Sequence, residues 1–496
     1  MILGPLGDAT MRIEAILQVV PAVTVRGDRA RDVQGIAYDS RQVRPGYLFV
    51  ALKGTRHDGA EFVDEAIRRG AVAVVSEAGG VRRRGITQIR VENARRALAE
   101  IARAFYRHPS GRLTTLGVTG TNGKTTTTYM IRDILRSVGR RPGLIGTVGY
   151  EIGARRIPAS RTTPEAPDVQ SLLDQMLQHG CDSAVLEVSS HALAQERVWG
   201  VDFDVGVFTN LTRDHLDYHG TMEGYFAAKA RLFQELGRGG KRATAVVNMD
   251  DEWGGRFIAL VGGGVELLTY GFHPAADVWA EDARYGEGGS AFRLRSPWGE
   301  ADVRLQAMGR FNVQNALAAL AAAGAVGVPL ESSVAALAGF VSAPGRLEPI
   351  PNTRGLRVYV DYAHTDDALH HVLEMLRGIA CGQLIVVFGC GGDRDRGKRP
   401  RMGAVAARWA DHVILTTDNP RREDPRRIIE EIAAGIPAGA SWESEVDRET
   451  AIARAIARAR PGDIVLIAGK GHENYQEFER TVIPFDDREV ARRRLG

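Results

Sequence analysis

Cysteine is scarce: three in 496 residues, Cys181, Cys381 and Cys390. They show no metal-ligand spacing and cannot all pair, which argues against a disulfide framework and fits a reducing, cytoplasmic setting. No apolar run approaches the length of a membrane span. The first residues lack the basic-then-apolar pattern of a secretory signal, and Met11 is an alternative start to Met1. Net charge is only +3, so no bulk attraction to nucleic acid is expected. The arginine clusters Arg82–Arg84 and Arg492–Arg494 are short and read as solvated surface. No internal repeat or low-complexity segment is visible.

What is present is a globular composition, 44% hydrophobic and 25% charged, in a chain too long for one ordinary core. About three domains are expected. The informative stretch is GVTGTNGKTTT, Gly117 to Thr127. A short β-branched run precedes it and an amphipathic run follows it, which reads strand, glycine turn, helix. Gly120 and Gly123 allow a tight turn with inward N–H groups, and a helix starting near Lys124 adds its positive dipole end. Lys124 is expected at the outer phosphates of a nucleotide and the Thr125 hydroxyl on Mg²⁺. The common pattern G-x-x-x-x-G-K-[ST] wants a glycine where Val118 stands.

The fold class expected is α/β in three domains. Residues 1–111 read as a small α/β unit, with strands at Gly35–Tyr38, Tyr47–Ala51 and Ala71–Ser76 and helices at Glu61–Arg69 and Glu92–Tyr106. Residues 112–342 alternate strand and helix, as in a doubly wound, mostly parallel sheet. Residues 343–496 form a third, Rossmann-like unit with strands at Val358–Asp361, Leu384–Phe388, His412–Thr416 and Ile464–Ala468. Ligands gather at the C-terminal ends of such strands. There the central unit offers Glu187, Ser189, His191, Asn210, Asp214 and His215, and the third unit offers Asp361, His364, Arg394, Arg396, Lys398 and Arg421.

Glu187 and His215 suit Mg²⁺ bridging a phosphate and a second substrate. Taken singly, Glu187 also reads as a strand-end carboxylate in an ion pair, and His215 as a hydrogen-bonded loop histidine. The arginines suit an anionic second substrate. The residues themselves lead to an ATP-dependent enzyme and no further.

The motifs DSRQVRPGYLFVALKG, GVTGTNGKTTT, LEVSSHAL, FTNLTRDHLDYHGT, GRFNVQNALAA, DYAHT, FGCGGDRDRGKRP, DNPR and AGKGHE, in that order, resemble the Mur ligase family across nearly the whole chain. The resemblance implies an ATP- and Mg²⁺-dependent amide ligase of peptidoglycan precursor synthesis, cytoplasmic and monomeric. It implies that the first domain holds a uridine nucleotide through Ser40, Thr55, Arg56 and His57. ATP would lie on Gly120, Thr121, Asn122, Gly123, Lys124, Thr125 and Thr126, with Asn312, Asn315, Arg346, Asp361 and His364 as further contacts. Thr162, Thr163, Ser189, Gln195 and Arg197 match contacts to a muramoyl-dipeptide. Thr125, Glu187, His215 and Lys229 would form the metal set, with Lys229 carboxylated by CO₂; Lys124, Glu187, His215 and Lys229 would be catalytic.

Asp418, Asn419, Pro420 and Arg421 match the signature for meso-diaminopimelate, whose extra carboxylate Arg421 can fork. An unpaired arginine there would penalise lysine. Arg394, Gly469 and Glu473 match the remaining contacts, Glu473 accepting from the distal ammonium. The implied substrates are thus UDP-N-acetylmuramoyl-L-alanyl-D-glutamate and meso-diaminopimelate. The family's DYAHTP reads DYAHTD here; Asp366 replaces the proline, and as an N-cap former it is expected to preserve a helix from Ala368. Competing readings are the same reaction with L-lysine, a folylpolyglutamate synthase-like ligase, and a nucleotide switch.

Overall fold

The computed structural model describes residues 10–54, 57–78 and 85–496. Thr55, Arg56 and the Arg82–Arg84 cluster lie outside the described residues.

Three main sheets carry the chain. The N-terminal one has five strands, ordered Ala22–Arg26, Thr87–Val91, Ala73–Ser76, Tyr47–Val50 and Gly35–Ala37. The first pair is antiparallel and the rest parallel. The expected helix at Glu61–Arg69 is instead a 3₁₀ turn, Gly59–Phe62, followed by the helix Val63–Arg68. Asp58 accepts from the Ala60 N–H, capping that first turn.

The central sheet has eleven strands. Its parallel heart runs Pro142–Ile145, Ser183–Glu187, Thr114–Thr119, Val205–Phe208, Ala243–Asn248 and Val265–Gly271. These strands are apolar on both faces because helices cover both; Leu116, Val118, Val185, Val205 and Val207 are fully buried. Val278–Gly286 continues one edge in parallel, and Gly289–Ser296 and Gly299–Leu305 follow it antiparallel. The alanine-rich helix Arg310–Ala325 packs on the helix Lys124–Ser137. Its small side chains let the two approach closely.

The third sheet is ordered Glu348–Ile350, Arg357–Val360, Ile464–Ile467, Leu384–Phe388, His412–Leu415 and Trp442–Ser444, parallel but for its first strand. Helix Asp366–Ile379 starts two residues earlier than expected. Its cap is Thr365, whose hydroxyl accepts from the Ala368 N–H at 3.2 Å, and Asp366 takes the first helical position. The lost proline is therefore replaced by an acidic group at a helix N-terminus, a favourable place for negative charge. Arg492, Arg493 and Arg494 end the last helix and pair with Glu348 or Glu449. Among the described residues no helix is long and apolar enough to cross a membrane.

Candidate active site

Val118 lies within the strand, paired with Glu187 on one side and Val207 on the other. The turn is therefore compressed into Gly120–Gly123, which explains the missing glycine. Gly120 and Gly123 have φ of +149° and +86°. A Cβ on Gly120 would come within 1.8 Å of Thr209 Oγ1, and one on Gly123 within 2.3 Å of Asn315 Oδ1. No side chain fits at either position. Thr121 N–H donates to Asn210 O, and Asn122 N–H to Asn210 Oδ1.

Lys124 Nζ folds back on the loop, donating to Gly120 O at 2.8 Å and Thr121 O at 2.7 Å. Burial pulls its pKa down to about 8, against the opposing pull of Glu187. Lys229 Nζ donates to that same Gly120 oxygen at 2.7 Å. Only 1% of Lys229 is exposed, and burial together with the Lys124 charge holds its amine well below the usual lysine range.

Glu187 is fully buried. Its carboxylate accepts from Thr125 Oγ1 at 3.0 Å, Thr147 Oγ1 at 2.8 Å and Thr147 N at 2.9 Å. Arg346 Nη2 donates to Thr125 Oγ1 at 3.0 Å. A carboxylate and a hydroxyl held in contact beside a phosphate loop are hard oxygen donors of the kind Mg²⁺ takes. His215 lines the same cavity but sits against Asp214, Nε2 to Oδ2 3.3 Å, with burial lowering its pKa. Among the described residues, the only other cluster of metal-ligating type is His370, His371 and Glu374. There Trp409 Nε1–H donates to His370 Nδ1, so the neutral ring keeps its proton on Nε2 and cannot ligate through it.

The cavity, about 250 Å³, brings together Gly120–Thr126, Thr162, Glu187, Ser189, His215, Lys229, Asn312, Asn315, Arg346, Asp361 and His364. Asp361 is committed to structure: its oxygens accept from Leu347 N and Ala363 N. Asn312 donates to Met308 O, and Asn315 to Asn312 Oδ1. Thr163 Oγ1 donates to Glu187 O. Arg197 is buried and binds Gln195 Oε1, Thr163 O and Glu165.

Other predicted residues lie elsewhere. Ser40 donates to Glu65 in the N-terminal unit, and His57 packs edge-on to Phe62 there. Arg394 is exposed, with Nη1 on Asp393 O.

In the third unit Arg421 has protein partners: Nε donates to Glu477 Oε2 at 2.8 Å and Nη1 to Gly392 O at 2.8 Å. Glu473 accepts from Lys470 Nζ at 2.8 Å and Asn419 Nδ2 at 2.9 Å. Asp418 accepts from Asn419 N, Pro420 O from Glu423 N, and Gly469 N donates to Asp361 O.

Models of three families match in order: Mur ligase family, catalytic domain, over residues 32–106; Mur ligase middle domain over 118–323; and Mur ligase, glutamate ligase domain, over 345–471. A protein of Geobacter sulfurreducens named UDP-N-acetylmuramoyl-L-alanyl-D-glutamate--2,6-diaminopimelate ligase is 45% identical over 97% of this chain and 98% of its own. One of Gloeobacter violaceus with the same name is 48% identical over 94% of each. The chain belongs to the Mur ligase family. By that membership it is an ATP-dependent ligase, as the phosphate loop led one to expect.

A solved structure of a diaminopimelate ligase of the family matches with a TM-score of 0.70, at 37% identity over 98% of this chain and 99% of that one. MurF from Acinetobacter baumannii, 21% identical over 95% of this chain and 96% of that one, shares the fold with a TM-score of 0.66. Family motifs did not reveal Thr147, Asp367, Lys470 or Glu477. Lys470 stood inside AGKGHE; the others gave no local signal.

Proposed function

We propose that this Mur ligase joins meso-diaminopimelate to the D-glutamyl carboxylate of UDP-N-acetylmuramoyl-L-alanyl-D-glutamate, using ATP, as a cytoplasmic monomer. The supporting observation is the shared cavity, in which the phosphate loop and Glu187 of the central unit face Arg346 and His364 of the third. The relatives' names supply the substrates.

In this reading Lys124 leaves its two carbonyls for the γ-phosphate and neutralises charge during transfer to the D-glutamyl carboxylate. The acyl phosphate so formed is attacked by the amine of diaminopimelate, and phosphate leaves. Thr125, Glu187, His215 and Lys229 would hold Mg²⁺, whose charge offsets that of the phosphates. A depressed lysine is a neutral amine, the form that adds to CO₂. The N–C bond forms, one proton leaves to solvent, and Lys229 becomes an anion suited to a cation site. Arg197, locked by Glu165, presents a fixed surface toward the dipeptide end.

The test is phosphate release from ATP with the uridine substrate and either meso-diaminopimelate or L-lysine. Release with diaminopimelate alone supports the reading. Release with lysine alone keeps the ligase and removes the selectivity. Release indifferent to both points to a nucleotide switch.

A further inference from the structure

We propose that Glu477 is a specificity-determining residue, because it positions and partly neutralises the arginine that selects the distal carboxylate of the amino-acid substrate. The inference rests on the role given to Arg421 above.

Glu477 lies on the short strand Tyr475–Glu477, paired with Val482–Pro484. Each of three consecutive hairpin residues grips the loop that ends at Arg421. Gln476 Nε2 donates to Asp418 O at 3.1 Å. Glu477 N donates to Asn419 Oδ1 at 3.0 Å. Phe478 forms an isolated bridge with Arg421. Arg421 itself sits at φ +51°, a left-handed conformation uncommon for a side-chain-bearing residue, and its N–H is spent on Glu477 O at 3.0 Å. The hairpin thus stabilises a strained residue and fixes where its side chain begins.

The side-chain contact fixes where it ends. Glu477 Oε2 takes Nε, and Gly392 O takes Nη1. The guanidinium is held from two sides, at Nε and at Nη1, and its orientation no longer depends on the substrate. Among the described residues the ion pair of Glu477 is with Arg421, and its side chain is 39% exposed against 19% for the arginine. The carboxylate stands on the solvent side of the cation it holds.

Two effects of opposite sign follow. Orientation lowers the cost of binding a carboxylate, because fewer rotamers are frozen on association. Neutralisation weakens the field that attracts that carboxylate and repels a lysine ammonium. Glu477 therefore trades strength of attraction for geometry, and the two are separable by substitution. Glutamine keeps an acceptor oxygen and loses the charge; alanine loses both.

The experiment measures phosphate release for the full-length enzyme, Glu477→Gln, Glu477→Ala and Arg421→Ala, titrating meso-diaminopimelate and, separately, L-lysine. Loss of a charge-assisted anchor in Glu477→Ala should raise the diaminopimelate KM about tenfold with kcat within about twofold. Removing only the charge in Glu477→Gln should lower that KM about threefold and suppress lysine use further. The KM values for ATP and the uridine substrate should not move in either. Wild-type KM values for diaminopimelate in both variants would overturn the proposal. So would a parallel rise in all three KM values with a lowered Tm, since that is a folding defect. Arg421→Ala separates the two levels. If it abolishes amino-acid preference while the Glu477 variants do nothing, this inference alone falls. If it leaves the preference intact, the role of Arg421 falls as well.

Discussion

In the proposed reading the two ends of the ligase are built by different means. The end proposed for the nucleotide is mostly backbone: a strand, two glycines in left-handed turns, and a helix whose first lysine rests on loop carbonyls. The end proposed for the amino acid is mostly charged side chains, some drawn from distant segments. Arg421 meets Glu477, Lys470 meets Glu473, and Arg399 is clamped by Glu423 and Glu431. Beneath them Arg448 is fully buried against Asp487 and donates to Thr417 O and Ala468 O at the ends of two strands. A backbone site is specified by a few contiguous residues. A side-chain network can be retuned one partner at a time, which suits a subsite that must tell one amino acid from another.

If the ends are separable, breaking one should spare the other. The largest effect expected is from Lys124→Ala, which removes the cation facing the transferring phosphoryl group. Phosphate release should fall about a thousandfold with Tm little changed, and kinetics alongside a melting curve would check it. Next is Asp487→Ala, which strands a buried guanidinium and should cost about 3–5 kcal/mol of stability in the third unit. Denaturant unfolding measures the loss, and nucleotide affinity of the still-folded protein should hold.

The comparison is sharpened by the contact that crosses it. Asp367, on the first turn of a third-unit helix, accepts from Asn122 Nδ2 of the phosphate loop at 3.0 Å and from Thr212 Oγ1 at 3.1 Å. Asp367→Ala should lower kcat/KM for ATP about tenfold, roughly the value of one hydrogen bond to a charged group. An unchanged value would mean the ends communicate elsewhere.

The smallest effect is in pH. Lys124 titrates near 8, not above 10. Its cationic form therefore carries a stability cost that is full below pH 8 and fades as pH rises toward the value of a free lysine. If nucleotide binding needs that cation, as the proposed function requires, affinity should weaken above pH 8 by up to about tenfold per unit. Calorimetry in two buffers of different ionisation heat should show proton uptake on binding.

The contrast also governs what was legible in the residues alone. Gly120, Gly123, Lys124 and Thr125 stand within six positions, so strand, loop and helix could be read directly. Glu187 was legible because a fully apolar strand ends on it. Glu477 was not, because nothing in YQEF announces that a hairpin will fold back over a loop 56 residues earlier. The short strands Ala22–Arg26 and Thr87–Val91 escaped for a related reason: the first shows no regular alternation of burial, its register shifts between Ala22 and Thr24, and pairing across the sheet defines it. The cap at Thr365 was displaced by one residue because threonine and aspartate both cap well, and only the backbone at 365 is extended.

Both active-site lysines lean on one acceptor, the Gly120 oxygen. Burial is the main reason both are proton-poor, and at Lys229 the charge of Lys124 adds to it. Conversion of Lys229 to a carbamate would replace a competitor with a counter-ion and raise the proton affinity of Lys124. Dissolved CO₂ and the nucleotide then become linked ligands, each tightening the other. The pH at which ATP affinity fades should move upward with bicarbonate concentration, making the enzyme's alkaline limit a property of its gas supply as well as of its side chains.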